Sequence, residues 1–366
     1  MHPYKSLPPS AFWSKTHTIN FDPRKLVQAG IFQIDKEDKV VTAGSCFAAN
    51  LVPFLAQAGL NYVRTEYVQS IYDEVPQEYL SYAKFSAGYG NIYTARQLLQ
   101  LLLRCQGKFT PEEYVWQMVD LFIDPYRPGL RYVARSIKEF DILTRQHLDA
   151  TRSAFESCDV FIFTLGLTEG WCSKIDGAVF PACPGTVAGE FVPERHEFHN
   201  YDINEVTTDL LSAIDELRIL SPNARVILTV SPVPLVATAS DNHVLVATTY
   251  SKSTLRVAAD TATRSRDRVY YFPSYEIITG SHKKEDFFED DRRSVNEAGI
   301  AQVMTAFFYA CGLTNDVNEG DVREVRSTTE NSTNSKGGFV RKLDAAARLA
   351  ELIEEAECEE VMAEKT

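Results

Sequence analysis

Apolar runs that alternate with stretches of helical spacing are the clearest pattern in this chain. Residues 159–166 (DVFIFTLG), 224–233 (ARVILTVSPV) and 268–272 (RVYYF) are continuous β-branched and aromatic runs. Such runs are typical of strands buried on both faces of a sheet. Residues 201–220 and 296–311 have the spacing of helices that pack on a core. The alternation predicts a parallel sheet with right-handed crossovers and an active site at the carboxyl ends of its strands.

A further strand and two helices are predicted nearer the N-terminus. In residues 39–58 (KVVTAGSCFAANLVPFLAQA) a short β-branched run leads through Ala43 and Gly44 into an Ala- and Leu-rich helical pattern. Residues 94–105 (TARQLLQLLLRC) are dense enough in apolar positions for a buried helix. The first of these segments therefore predicts a strand that turns tightly into a helix.

Outside the core the pattern predicts an arm, an insertion, a linker and a tail. The core domain is expected at 39–312, with an insertion at about 62–150 where the periodicity is weak. Residues 313–340 read as a flexible linker because they collect Thr, Asn, Ser and Gly, and residues 341–366 read as an acidic helix with a thin apolar stripe. Residues 1–38 form a Pro-rich arm, with the expected aromatic anchors Tyr4, Phe12, Trp13 and Phe21.

Ser45 is the first candidate for chemistry, because it lies in the predicted strand-to-helix turn. A hydroxyl there stands at the sheet edge beside the free N–H groups of a new helix, which suits a serine nucleophile for acyl transfer. An N-cap serine that only satisfies a helix N–H fits the same pattern. Cys46 is an alternative nucleophile, since a helix N-terminus lowers the pKa of a thiol, although cysteine is also a common packing residue.

Composition and charge narrow the class of protein. The 366-residue chain is 45% hydrophobic and 24% charged, which is ordinary for a globular protein. Its formal net charge of -13 argues against a nucleic-acid groove or attraction to an anionic membrane surface. No apolar run approaches the ~18 residues of a membrane span, and the N-terminus lacks the apolar segment of an export signal.

Cysteine and glycine motifs indicate neither a metal nor a cofactor. The seven cysteines are scattered without a CxxC pair, so a reducing cytoplasm is the expected location. His196 and His199 are spaced i, i+3, but no third ligand is evident, so we expect no metal site. The sequence has no GxGxxG after an early strand and no Walker A motif, so we expect no cofactor.

Several short motifs together resemble one protein family. Residues 44–48 read GSCFA, and segments 90–93 (GNIY), 164–169 (TLGLTE), 231–235 (SPVPL) and 275–277 (YEI) follow in the family's order. The chain thus resembles the GSCFA family, a branch related to the SGNH/GDSL hydrolases. The resemblance implies a three-layer α/β/α, flavodoxin-like fold with a central parallel sheet.

The resemblance also implies roles for individual residues. Ser45 is the expected nucleophile, with its own N–H and that of Gly90 as oxyanion donors. SGNH-type enzymes take a third donor from an Asn two residues after the glycine of the third block, but this chain has Thr168 there. We expect Thr168, or the side-chain amide of Asn91, to replace it. A plain turn at Gly90 and Asn91 is the alternative.

The largest departure from the resemblance concerns the general base. Relatives carry Asp-x-x-His after the last strand, whereas this chain reads Glu-Asp-Asp-Arg-Arg-Ser at residues 289–294, so Ser294 or Arg293 falls where the histidine should be. We expect Asp291 to be retained and His243, in an irregular loop after a predicted strand, to serve as base. Further candidates are His196 and His199 in a loop after residue 166, and His282. Glu169 and Glu276 lie near strand ends and are candidates to orient an imidazole or act as an acid; solvated or ion-paired carboxylates are the alternative.

Two functions follow from these expectations. The first is a serine esterase or O-acyltransferase acting on an acylated carbohydrate, because relatives are linked with bacterial surface-polysaccharide production. Its partners would be a small-molecule or saccharide substrate and other proteins of polysaccharide biosynthesis. The second is a non-catalytic protein that binds a glycan or a protein partner on an SGNH-like scaffold, because the Asp-x-x-His base is absent.

Overall fold

The computed structural model describes residues 2–16, 22–67, 84–130, 133–281 and 286–313. The strands are β1 (Lys39–Gly44), β2 (Asn61–Tyr62), β3 (Trp116–Met118), β4 (Leu121–Ile123), β5 (Val160–Leu165), β6 (Glu169–Ser173), β7 (Val179–Phe180), β8 (His196–Asn200), β9 (Arg225–Val230) and β10 (Val269–Phe272). The helices are α1 (Trp13–Thr16), α2 (Cys46–Ala49), α3 (Val52–Gln57), α4 (Ala95–Cys105), α5 (Ile137–Glu156), α6 (Ile203–Leu220), α7 (Val244–Ser265), α8 (Ser274–Thr279) and α9 (Glu297–Ala310).

The central sheet has five parallel strands in the order β2-β1-β5-β9-β10. Its register is continuous across the middle, where Val40 of β1 pairs with Val160 of β5, and Val160 with Arg225 of β9. The expected flavodoxin-like sheet is therefore confirmed, and the carboxyl ends of its strands form one edge. We call this edge, where β1, β5, β9 and β10 end, the carboxyl edge.

Helices cover both faces of the sheet, as the continuous apolar runs predict. Alternate residues of one strand join different cores: Phe161 and Phe163 of β5 face the side of α4 to α7, while Ile162 faces α3 and α9. Side chains on an extended strand point to opposite faces in turn, so a strand covered on both faces needs apolar residues at every position.

Local sequence signals set the starts of the core helices. Thr94 precedes α4 and forms a reciprocal capping box with Gln97, and Asp202 does the same with Glu205 at the start of α6. Asn296 accepts the Gly299 N–H at the start of α9. The predicted helices at 94–105, 201–220 and 296–311 are thus confirmed to within two residues.

The insertion is more regular than the weak periodicity suggests. It contains the antiparallel pair β3 and β4 and the 20-residue helix α5. A separate antiparallel sheet, ordered β7-β6-β8, follows β5 directly. His196 and His199, expected in a loop, therefore lie on strand β8.

The predicted arm makes its contacts through its last residues. Tyr4 and Trp13, two of the expected anchors, are exposed at 66% and 72%. Phe32 and Ile34 are buried instead, and their N–H groups donate to the carbonyls of Ala310 and Cys311. Phe21, most of the linker and the whole acidic tail lie outside the described residues. Within the described part, no helix is both long and apolar enough to cross a membrane.

Candidate functional site

Ser45 occupies the turn between β1 and α2 at the carboxyl edge. Its backbone is extended, with φ −73° and ψ 177°, and it is the N-cap residue of α2. Its side chain nevertheless makes no capping hydrogen bond. The residue is 3% exposed, and its Oγ has no hydrogen-bond partner among the described residues. The geometry thus does not match a serine that serves only as a helix cap.

Two glycines let neighbouring segments approach this turn. Gly44 has φ +147°, and a Cβ there would lie 2.6 Å from the carbonyl oxygen of Thr164. A Cβ on Gly166, just after β5, would lie 3.2 Å from the Cβ of Ser45 and 3.0 Å from the Tyr93 oxygen. The ends of β1 and β5 are therefore in direct contact at Ser45, and neither position has room for a side chain.

The segment after Gly90 closes the site from a third side. The Ile92 N–H donates to the Gly44 oxygen at 2.8 Å, and the N–H groups of Gly166 and Leu167 both donate to the Tyr93 oxygen, at 2.9 and 3.1 Å. The segments that carry the second and third motifs of the resemblance thus meet at Ser45.

The contacts of the expected oxyanion donors differ from one residue to the next. The Ser45 N–H lies 3.4 Å from the Thr164 oxygen, which is a long hydrogen bond. Gly90 has φ +67° and lies beside Arg127. The Asn91 amide nitrogen donates to the Tyr93 hydroxyl at 3.1 Å, while its buried Oδ1 has no partner in the described residues.

Thr168 has both of its donors engaged elsewhere. Its N–H donates to the Ser251 Oγ at 2.9 Å, and its hydroxyl donates to the Asn200 Oδ1 at 2.7 Å. Because Thr168 fixes the oxygen of Asn200, the amide nitrogen of Asn200 is turned away from Thr168. Asn200 is thus a side-chain amide next to the third motif that the sequence analysis missed, since it lies 32 residues along the chain.

Lys252 was not assigned to the site from the sequence, because the segment that carries it was not predicted as a helix. It lies on α7, is 2% exposed, and its Nζ donates to the Gly166 oxygen at 2.6 Å. The preceding Ser251 is the acceptor for Thr168. Helix α7 therefore supports the third motif through two adjacent buried side chains.

The loop that carries Asp291 lies at the same edge as Ser45. The Arg293 Nε donates to the oxygen of Pro234, which follows β9. Asp291 accepts from the N–H groups of Arg293 and Ser294, and from the Ser294 hydroxyl at 2.6 Å. Burial alone would raise the pKa of Asp291, but these hydrogen bonds and the Arg293 charge outweigh it and lower that pKa. Asp291 thus stabilises its own turn.

None of the histidines in the described residues hydrogen-bonds the Ser45 hydroxyl. His243, expected in a loop, is the exposed N-cap of α7, and its Nδ1 accepts the Leu245 N–H at 3.2 Å. His196 and His199 are hydrogen-bonded to Glu113 and Glu205, respectively. His282 lies outside the described residues.

The two candidate glutamates lie in different environments. Glu276 accepts from the Tyr271 hydroxyl and pairs with the Arg256 Nε, both at 2.8 Å, so it is an ion-paired carboxylate. Glu169 directly follows Thr168 and accepts from the Thr238 hydroxyl at 2.7 Å. Burial raises the pKa of Glu169, although the hydrogen bond from Thr238 opposes this. A carboxyl group with a raised pKa is a candidate proton carrier.

A metal centre has no support in the described part of the chain, where no three His, Cys, Asp or Glu residues are grouped closely enough to hold an ion. Cys46, the alternative nucleophile, is partly exposed.

Comparison with known proteins shows the family of this chain and a distant structural similarity. The model of the GSCFA family matches residues 39–307. The sequence comparison with curated proteins finds no match. Among solved structures, a Clostridium thermocellum family 3 carbohydrate esterase is similar, with 12% identity and a TM-score of 0.32. The similarity covers 80% of this chain and 98% of the esterase chain.

Proposed function

The chain belongs to the GSCFA family, and on that premise we propose that it is a serine esterase or O-acyltransferase acting on an acylated carbohydrate. The observation that carries the proposal is the Ser45 hydroxyl, which is buried at the carboxyl edge and has no hydrogen-bond partner in the described residues. Leaving a buried hydroxyl unpaired costs about 1–3 kcal/mol, and such groups concentrate at functional sites.

The reaction forms and breaks an ester on Ser45. The Oγ attacks the acyl carbonyl, a base takes the serine proton, and that proton passes to the sugar oxygen as the acyl–oxygen bond breaks. The acyl group is then held as an ester of Ser45. Attack by water releases it in an esterase, whereas attack by a second hydroxyl transfers it in an acyltransferase.

We propose that donors near the third motif and the Gly90 segment stabilise the tetrahedral intermediate. The candidates are the Ser45 N–H and the amides of Asn91 and Asn200, with the Gly90 segment alongside. The N–H groups of Gly166 and Leu167 are committed to the Tyr93 oxygen, so they serve to position the site.

The choice of an acylated carbohydrate rests on the family resemblance. Relatives are linked with surface-polysaccharide production, so we propose a saccharide ester as substrate and polysaccharide-biosynthesis proteins as partners. Release of acetate from acetylated oligosaccharides built from different sugars tests the substrate class.

An active-site-directed fluorophosphonate tests the nucleophile. The wild-type protein should be labelled covalently. Ser45→Ala should lose labelling completely, since it lacks the Oγ that bonds to the phosphorus of the probe. Mass spectrometry of the labelled peptide should place the adduct on Ser45. Cys46→Ala is the matched control for the neighbouring thiol and should be labelled like the wild type. Equal labelling of Ser45→Ala and wild type contradicts the proposal, and loss of labelling in Cys46→Ala alone makes the thiol the nucleophile.

A specific observation favours the second function, a non-catalytic binding protein. The described histidines make their hydrogen bonds elsewhere, and Asp291 bonds within its own turn. Turnover of a series of p-nitrophenyl esters, measured beside saccharide binding by calorimetry, separates the two functions. Saccharide binding without labelling or turnover, in a folded protein, supports the binding protein.

A further inference from the structure

A lysine buried behind the candidate nucleophile has no part in the acyl-transfer scheme. Lys252 is 2% exposed and lies on the inner side of α7, two turns from the start of that helix. Removing an ammonium group from water is costly, so lysine is rarely buried to this extent. We propose that Lys252 is a positioning residue of the Ser45 centre, whose ammonium fixes the Gly166 peptide against Ser45 and places a fixed positive charge beside the forming oxyanion.

The contacts form a short path from Lys252 to the nucleophile. The Lys252 Nζ donates to the Gly166 oxygen at 2.6 Å. The same glycine packs so closely on Ser45 that a Cβ added to it would lie 3.2 Å from the serine Cβ. One residue therefore separates the ammonium from Ser45, and a shift of the Gly166 peptide moves a wall of the site.

The Gly166 peptide is held from both sides. Its N–H and that of Leu167 donate to the Tyr93 oxygen, and Lys252 holds its carbonyl. The adjacent Thr168 N–H is held by a neutral hydroxyl, that of Ser251. The donor at position 252 is thus an ammonium, which brings a positive charge to the Gly166 carbonyl together with the hydrogen bond.

A positive charge at this place favours the chemistry on Ser45. Negative charge develops on the acyl oxygen in the transition state, and preorganised charges in a site shielded from water stabilise it strongly. The resemblance implies a histidine base in the Asp-x-x-His block, and such a base becomes positively charged when it takes the serine proton. This chain has Ser294 at that position. The inference rests on the proposed function, because it assigns Lys252 a role only if Ser45 reacts.

Substitutions at position 252 separate the charge from the hydrogen bond. Lys252→Arg keeps a charged donor, while Lys252→Gln keeps a neutral donor. The measurement is the second-order rate constant for fluorophosphonate labelling of each folded variant at pH 7.5. We expect Lys252→Arg to stay within about tenfold of wild type, and Lys252→Gln to be slower by about 10²-fold, as for loss of one oxyanion-stabilising group.

Lys174→Gln is the matched control. Its ammonium also donates to a backbone carbonyl, that of Pro193 at 2.7 Å, but it is exposed and lies beyond the end of β6. It should be labelled at the wild-type rate. Labelling of Lys252→Gln at the wild-type rate overturns the inference, and so does an equally slow Lys252→Arg. If Lys252→Gln does not fold, the labelling rate constant of the folded Lys252→Arg decides. A rate constant within tenfold of wild type supports the inference, and a larger decrease contradicts it.

The same assay distinguishes this inference from the proposed function. A wild-type protein that is not labelled, or is labelled equally in Ser45→Ala, removes the proposed function and the role of Lys252 with it. A wild-type protein labelled on Ser45, with Lys252 variants of unchanged rate, removes only the inference.

Discussion

Ser45 is held in place by its backbone, which leaves its side chain available. Its carbonyl accepts the Ala48 N–H at 2.8 Å, so it begins α2 without using its hydroxyl. The turn depends on Gly44, whose φ of +147° and contact with Thr164 exclude any side chain. The strand, the turn and the helix thus present the Ser45 Oγ, which has no hydrogen bond to any residue in the described part of the chain.

The base for Ser45 is testable at two positions. His243→Asn removes the imidazole but keeps an N-cap residue for α7, so stability should stay nearly unchanged. If His243 is the base, p-nitrophenyl acetate turnover should fall by about 10²–10⁴-fold. Glu169→Gln is the parallel variant and should then retain the Thr238 hydrogen bond and most of the activity.

The opposite result reassigns the base. If His243→Asn keeps full turnover and Glu169→Gln loses turnover, Glu169 is the proton acceptor. The pKa of Glu169, raised by burial, would then appear as the lower limit of the pH–rate profile, because activity needs the carboxylate.

The elements that follow local rules are those that the sequence predicts well. Strand β5 and helices α4 and α9 combine continuous or periodic apolar residues with recognisable caps. Helix α7 was not predicted, because residues 244–265 are rich in Val, Thr and Ser, which are poor helix formers in isolation. Its Leu255, Ala258 and Ala259 are buried in the core, so tertiary packing determines this helix.

The same limit applies to the site. Ser45, Gly166 and the third motif were found because they follow strands directly in the chain. Asn200 and Lys252 reach the site from elements 32 and 86 residues away from their partners. Sequence spacing carries no signal for such contacts, since they depend on how β8 and α7 pack.

A buried cluster of charged side chains links helix α5 to two other segments of the insertion, through His147, Glu66 and Arg127. Glu66 accepts from the Arg127 Nη1 at 3.0 Å and from the Gly88 N–H at 2.7 Å, and lies 2.7 Å from the His147 Nδ1. Burial would raise the pKa of Glu66, but His147, Arg127 and the Gly88 N–H lower it to about 2. Burial, with the Arg127 charge, lowers the pKa of His147, and Glu66 opposes this. We infer a neutral His147 at pH 7 that donates to the Glu66 carboxylate.

This cluster predicts acid-sensitive stability. The unfolded chain binds protons on His147 near pH 6.5 and on Glu66 near pH 4.5, whereas the folded chain binds them only at lower pH. The unfolded state therefore holds more protons, and the free energy of unfolding should fall as the pH drops below 6.5. Urea unfolding at pH 8, 6.5, 5 and 4 measures this. Glu66→Gln should be less stable by about 3–5 kcal/mol at pH 8. It should also lack the part of the pH dependence between pH 5 and 4 that comes from the Glu66 carboxylate.

An exposed ion pair provides the control for the cluster. Glu156 pairs with Arg152 on the surface of α5, and Glu156→Gln should change stability by less than about 0.5 kcal/mol at every pH. A Glu66→Gln protein with wild-type stability and slope would show that the cluster does not stabilise the fold.

Over the whole molecule, the end of the N-terminal arm joins the sheet to the last helix. The Phe32 ring lies 5.7 Å from that of Tyr270 on β10 and 6.4 Å from that of Phe307 on α9. Arg225 at the start of β9 donates to the Phe32 oxygen and pairs with Asp38. The family match begins at residue 39, so Phe32 lies outside the matched region, although it packs against rings inside it.

Removal of the Phe32 ring should therefore destabilise the whole fold. Phe32→Ala should lower the free energy of unfolding by about 3–5 kcal/mol, the usual cost of deleting a buried aromatic ring. Trp13→Ala is the control: it removes a larger ring from the same arm, but one that is 72% exposed, so the change should stay within about 0.5 kcal/mol. Urea unfolding followed by far-UV circular dichroism gives both values, and equal effects would contradict the joining role.

The pairing of β1 with β5 has a consequence for how the chain acquires its structure. Val40 pairs with Val160, so the centre of the sheet forms only after residues 120 positions apart in the sequence have been brought together. Contacts between residues so distant along the chain slow folding, because the chain loses the entropy of the closed loop before the strands gain their pairing. Until then β1 and β5, apolar on both faces, remain open to pairing with other chains. Refolding should accordingly be slow, and its yield should fall as the protein concentration rises.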